Sequence, residues 1–368
     1  MEKPIIFGER IRQARELRGL TQAELATRIG TSQAIIAQLE GELRRPSDNQ
    51  VETIAIQTGF PLSFFRTEPI NDFPLGSLLY RARTSMPVRH KTEVYQMGRL
   101  IYECASRVES KVSQFPLRLP RIKDQMATEA AKLTRNSLGL SPDVPIQNLV
   151  RVLERGGVLV FELPIDIGKL DAYSTWAGKN LQKPVIVLAP NKPADRLRFN
   201  VAHEVGHLVM HQSINGSLDD LEKEANQFAA EFLMPEVAMT QELYPPVTLT
   251  RAAVLKPRWG VSIQALVERA YNLQIITQRQ RRYLWQQLGS NGWRTNEPIN
   301  IPAERPRILS KMAELLYGSP VDYKRLAADT NLTLSYARSI FGDAQVDHDN
   351  KSIIQFANPY PIEFRRPS

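Results

Sequence analysis

A mainly α-helical chain, with a small sheet set beside one histidine-bearing helix, is predicted by three features of the sequence. Residues 8–65 carry apolar positions at helical spacing, broken by single glycines. The β-branched runs VLVFEL and KPVIVL lie just upstream of RFNVAHEVGHLVMH at 198–211. Beyond residue 246 the glycine-broken helical rhythm returns. Four regions follow: a five-helix head over 1–66, a linker and helical connector over 67–124, a central α+β domain over 125–245, and a helical C-terminal extension over 246–368. The length of 368 residues agrees, since domains average about 150 residues.

Composition narrows the class. A hydrophobic fraction of 42% with 23% charged residues is that of a soluble globular protein. No apolar run is long enough to span a bilayer, and MEKPIIFGERIRQ lacks the order of a signal peptide, so a cytoplasmic location with no membrane partner is expected. The single cysteine, Cys104, excludes internal disulfides and cysteine-rich zinc sites, and its apolar setting reads as a buried thiol. A net charge of +8 and a pI near 9.5 favour a phosphate-bearing partner.

In the head, Ile11, Ala14 and Leu17 mark a first helix that Gly19 stops. Thr21 and Glu24 form a capping box opening TQAELATRIG, Gly30 turns the chain, and TSQAIIAQLEG begins again at Thr/Ser. Leu25, Ala26, Ile29, Ile36 and Leu39 share one apolar face. Two short helices across a tight glycine turn make a helix-turn-helix. The stretch TQAELATRIGTSQAIIAQLEGELRRPS resembles the Xre, Cro-like phage-repressor type over roughly residues 8–65. That resemblance places the second helix in the major groove of a double-stranded DNA operator. Gln33 and Gln38 are then candidate base readers and Ser32 a lesser one, while Gln22, Arg44 and Arg45 are placed to meet phosphates. Regulators of this type usually bind as dimers, which implies a homodimer.

RTEPINDFPLG at 66–76 reads as a linker because its breakers cluster, and a helical region from about Thr92 to Leu140 reads as polar helices that connect and help dimerisation rather than catalyse. SPDVPIQNLVRVLERGG then gives a capped helix and a turn into the first apolar strand.

The chemistry concentrates in HEVGH. His203 and His207 stand four apart, so a helix sets both imidazoles on one face, where one ion can be held. Glu204 lies beside that ion, placed to accept a proton from water rather than to ligate. This is the HExxH of zinc peptidases. A third histidine six residues further would fall at Ser213, so it is absent, and His211 is rotated about 80° from His203 on a straight helix. Downstream, SLDDLEKEANQFAAEFLMP reads as a second helix carrying Glu222, Ala225, Asn226 and Ala229 on one face. Glu222 completes two histidines and a carboxylate, Asn226 is positioned to orient a histidine, and Glu224 is the reserve ligand. Tyr173 and His211 are candidate donors to a developing oxyanion.

RFNVAHEVGHLVMH followed by EKEANQFAAEFLMP resembles the ImmA/IrrE family of gluzincin-like metallopeptidases over roughly residues 125–245. The resemblance implies a zincin-like domain with Zn²⁺ held by His203, His207 and Glu222, and Glu204 as catalytic base. It also implies proteolysis of a repressor partner, or a fused regulator or antitoxin. Two functions are therefore expected in competition. One is a DNA-binding regulator whose zinc endopeptidase cleaves a repressor, another operon-encoded partner such as a toxin, or itself. The other is an Xre-type antitoxin or repressor whose peptidase-like domain binds a partner or senses a signal with little or no proteolysis.

In the extension, AAVLKPRWGVSIQALVERAYNLQII repeats the helix-turn-helix order, with Gly260 at the turn and Ser262 near the cap, and is expected to pack on the peptidase-like domain. RLAADTNLTLSYARSIFG has a similar rhythm. Arg279, Arg281 and Arg282 read as a solvated face, and NPYPIEFRRPS as a loosely held or strapping tail.

Overall fold

The computed structural model describes residues 5–78, 87–112, 115–166, 170–212 and 217–342. Within them the chain forms seventeen helices and one three-stranded sheet, as the sequence predicts. Ser213 and the tail NPYPIEFRRPS lie outside the described residues.

The head is α1 (Gly8–Leu17), α2 (Gln22–Arg28), α3 (Gln33–Glu40), α4 (Asp48–Thr58) and α5 (Leu62–Phe65). The capping box at α2 forms: Thr21 N–H donates to Glu24 at 2.6 Å, and Glu24 N–H to the Thr21 hydroxyl at 3.2 Å. Leu25, Ala26, Ile36 and Leu39 are buried, and Ile29 is half-buried. One buried carboxylate ties the motif together. Glu40 receives Arg15 at 2.5 and 3.0 Å and the Gln22 amide at 2.8 Å.

Next come α6 (Val88–Glu109), α7 (Ala127–Ser137) and α8 (Leu149–Arg155), with residues 115–126 crossing between α6 and α7 without helix. The reading of polar connecting helices from about Thr92 to Leu140 is corrected for α6. Val94, Met97, Leu100, Ile101, Cys104, Ala105 and Val108 of α6 are all buried, so α6 is a core helix. The stretch read as a linker, 66–76, is likewise held in place, with Phe73 buried and Asp72 C=O accepting from Gly178 N–H at 2.7 Å.

Strands β1 (Leu159–Glu162), β2 (Ala172–Ala177) and β3 (Lys183–Leu188) pair in the order β1-β3-β2. β1 runs parallel to β3, with Leu159 opposite Val185, and β2 antiparallel, with Ser174 opposite Ile186. Because side chains alternate along a strand, the two faces of this sheet feed two different cores. Leu159, Phe161, Tyr173, Val185 and Val187 join α6, the head and the last helices. Val160, Ala172, Trp176, Ile186 and Leu188 join the helices of the histidine site.

That second core is built on α9 (Ala194–Met210) and α10 (Leu218–Leu233), followed by α11 (Glu236–Glu242), α12 (Leu249–Trp259), α13 (Ile263–Asn272) and α14 (Gln278–Ser290). Gly206 explains how closely α9 and α10 approach: a Cβ there would lie 3.2 Å from the Phe228 side chain. α12 and α13 form the second helix-turn-helix-like unit, with Gly260 left-handed at φ +66° and Ser262 capping α13, and they pack in this core as expected. Arg279 and Arg282 are exposed, whereas Arg281 pairs with Glu268 at 2.8 Å. The final helices α15 (Ile308–Tyr317), α16 (Tyr323–Thr330) and α17 (Leu334–Phe341) go to the other core. Tyr336 stacks on Phe60 of the head at 5.1 Å, so the end of the described chain closes over its beginning.

Candidate metal centre and nucleic-acid interface

His203 and His207 are buried on the face of α9 that meets α10, and their Nε2 atoms stand 3.0 Å apart. Glu222, one turn into α10, brings an oxygen to 3.3 Å from each of them. Among the described residues these three form the cluster suited to a metal, with ligand atoms all within 4.8 Å of one another. A tetrahedral ion with bonds of about 2.0–2.1 Å sets its ligands roughly 3.3–3.4 Å apart, so the three donors fit one ion and leave one position open.

The outer nitrogens support this fit. His203 Nδ1 lies 3.0 Å from the Asn226 carbonyl oxygen and donates to it. His207 Nδ1 lies 2.9 Å from Nδ1 of His211, whose Nε2 lies 2.9 Å from Glu224. If His211 donates to Glu224, its Nδ1 accepts from His207. Both Nε2 atoms then present lone pairs to the same point as the Glu222 carboxylate, an arrangement that a cation satisfies. Burial lowers the pKa of His211, against the hydrogen bond to Glu224. His211 and Glu224 thus stand behind His207 rather than facing the cluster.

Glu204 is fully buried beside the pair, under the sheet. Its Oε2 accepts from the Ser174 hydroxyl of β2 and from the Ser77 hydroxyl, both at 2.7 Å. Tyr173 cannot act as a donor here, because the residue next to Ser174 on a strand faces the other way. Its hydroxyl abuts Gly98 of α6, where a Cβ would come within 2.0 Å. Burial raises its pKa strongly. The two serines were not visible as site residues in the sequence, since neither lies in a motif. A cleft of about 980 Å³ is bordered by Asn226, Phe199, Arg196, Ala230, Glu268 and Trp285, and of these Asn226 touches His203, while His203, Glu204, His207 and Glu222 do not line it.

On the head, Ser32, Gln33, Gln38, Arg44 and Arg45 are all exposed. The Ser32 hydroxyl accepts from Ile35 N–H at 3.4 Å and caps α3. Gln22 is half-buried, with its amide committed to Glu40.

Residues 11–65 match the helix-turn-helix family model, and residues 153–271 match the peptidase M78 model, the IrrE N-terminal-like domain. The chain joins a helix-turn-helix domain to an IrrE-like domain. The match to the IrrE-like domain runs from α8 into α13, so it takes in the whole sheet, the HEVGH helix and the second helix-turn-helix-like unit. No curated protein matches the chain. Among solved structures, PlcR of Bacillus thuringiensis in complex with the peptide PapR7 and DNA is similar at 12% identity over 95% of this chain and 98% of that one, with a TM-score of 0.15. None of the described helices is long and apolar enough to cross a membrane.

Proposed function

We propose that the protein is a cytoplasmic, dimeric, DNA-binding transcriptional regulator whose IrrE-like domain is a zinc-dependent endopeptidase, acting on a repressor or operon-encoded partner or on the chain itself. The observation that carries this reading is the meeting of His203, His207 and Glu222 from two helices, with Glu204 beside them and outside the ligand set. A structural zinc site needs no such carboxylate.

Zn²⁺ would be held by His203 Nε2, His207 Nε2 and Glu222, and when bound supplies Lewis acidity that polarises a carbonyl and acidifies water. Glu204, held by Ser77 and Ser174, takes the water's proton and returns it to the departing amine. Asn226 holds the His203 ring in place, and the sheet above excludes bulk water from Glu204. On the head, Gln33 and Gln38 read bases from the exposed side of α3, Ser32 assists, and Arg44 and Arg45 meet phosphates. The Gln22 amide is already committed, so its share in phosphate binding falls to the N–H groups at the start of α2.

The competing reading, an antitoxin or repressor with a quiet peptidase-like domain, is favoured by the hold of Ser77 on Glu204. Co-expression with the proteins encoded beside it separates the two. Cleavage of a neighbour by the wild type and not by Glu204→Gln is expected; an intact complex with both proteins would select the quiet reading.

A further inference from the structure

β2 is one of the two edge strands of the sheet, yet its outer edge is covered. The segment that covers it comes from the stretch joining the head to α6. Asp72 C=O accepts from Gly178 N–H at 2.7 Å, and Ser77 N–H donates to Ser174 C=O at 2.8 Å, so residues 72–77 run antiparallel to β2. Ser174 N–H returns a bond to the Ser77 hydroxyl at 2.8 Å, and that hydroxyl donates to Glu204. We propose that residues 72–77 are an internal strap, occupying the peptide-docking edge of the IrrE-like domain and holding Glu204, so that an extended peptide must displace them. This rests on the peptidase reading above.

Three features mark the contact as built. Gly76 is left-handed at φ +55°, and a Cβ there would lie 2.1 Å from Ser174 O, so only glycine lets the backbone come this close. Phe73 anchors the strap in the core, 5.2 Å from the Tyr102 ring, while Tyr95 donates its hydroxyl to Phe73 C=O at 2.8 Å. The strap's other end is tied to the head. Arg99 of α6 donates to Ile70 C=O at 2.9 Å and to Asn71 at 2.7 Å, and Glu103 accepts from Ile70 N–H at 3.2 Å. Glu103 also holds Arg10 of α1 at 2.6 Å, and Arg10 reaches Thr67 C=O and Glu68 C=O, each at 2.9 Å. The strap is thereby bonded at one end to α6 and, through Glu103 and Arg10, to the head, and at the other to Glu204.

The test uses zinc-loaded full-length protein, with Pro-Leu-Gly hydroxamate as probe because it repeats Pro74-Leu75-Gly76 and ends in a metal-binding group. Hydrogen exchange of residues 71–78 and 170–178 is followed in wild type, Gly76→Ala and Ser77→Ala, with residues 194–210 as the check that α9 stays folded. Either variant is expected to exchange at least ten-fold faster in both segments and to bind the probe at least ten-fold more tightly. In wild type, saturating probe is expected to raise exchange over 71–78. Zinc-loaded, folded variants with unchanged exchange and affinity, or with weaker probe binding, overturn the strap alone. Absence of zinc and of probe binding in all three proteins overturns the peptidase reading and the strap with it.

Discussion

Helices α3 and α9 carry the two proposed activities, and they are built in opposite ways. On α9, His203, Glu204 and His207 are buried and each is gripped by a second residue: Asn226, the serine pair and His211. On α3, Gln33 and Gln38 project into solvent from a helix fixed only by its other face, through Ile36, Leu39 and the Arg15–Glu40 pair. Chemistry requires groups held in place before substrate arrives, because reorganisation during the reaction costs rate. Groove reading requires side chains whose partners lie on another molecule. A rigid interior site and a rigid helix with an uncommitted face are the two answers.

The contrast can be broken at either end. The largest expected effect is Glu204→Gln, which removes the base and should lower peptide cleavage on the order of 10²–10⁴-fold while leaving metal content unchanged; assays of cleaved partner per unit of zinc-loaded protein check this. Asn226→Ala leaves all three ligands and should weaken zinc about 10–100-fold, read by competition with a chelator. An unchanged affinity would mean that the ring of His203 is held by packing alone. On α3, Gln33→Ala should reduce discrimination at one base pair by about 1–3 kcal/mol without abolishing binding, seen by comparing operator variants. The smallest effect is expected for Arg45→Ala, which should weaken binding to all sequences alike and flatten the slope of log affinity against log salt by about 1. A slope already near zero in wild type would remove the phosphate contacts from the account.

What was legible in the sequence follows the same division. HEVGH and the face of Glu222 and Asn226 could be read because a helix fixes the spacing of its own side chains, and only one helix-to-helix approach had to be supplied, signalled by Ala225 and Ala229. The head was legible because caps and turns are local, as at Thr21, Glu24 and Gly30. Ser77 and Ser174 were not legible. They reach Glu204 across 127 and 30 residues of chain, and no local pattern encodes a contact of that range. Residues 66–76 read as a linker for the same reason: Pro69, Pro74 and Gly76 break helix, but they equally allow an extended strap against a sheet edge. α6 was misjudged as a polar connector because its buried Arg99 and Glu103 look solvated in sequence and are paired in the fold.

On the proposed reading, two histidines of α9 and one carboxylate of α10 hold an ion that Glu204 serves without binding. Zinc per chain, measured by elemental mass spectrometry on purified full-length wild type, Glu204→Gln and His207→Ala, tests it directly. About one zinc is expected in the first two proteins and close to none in the third. Stoichiometric zinc in His207→Ala, or loss of zinc in Glu204→Gln, would contradict it.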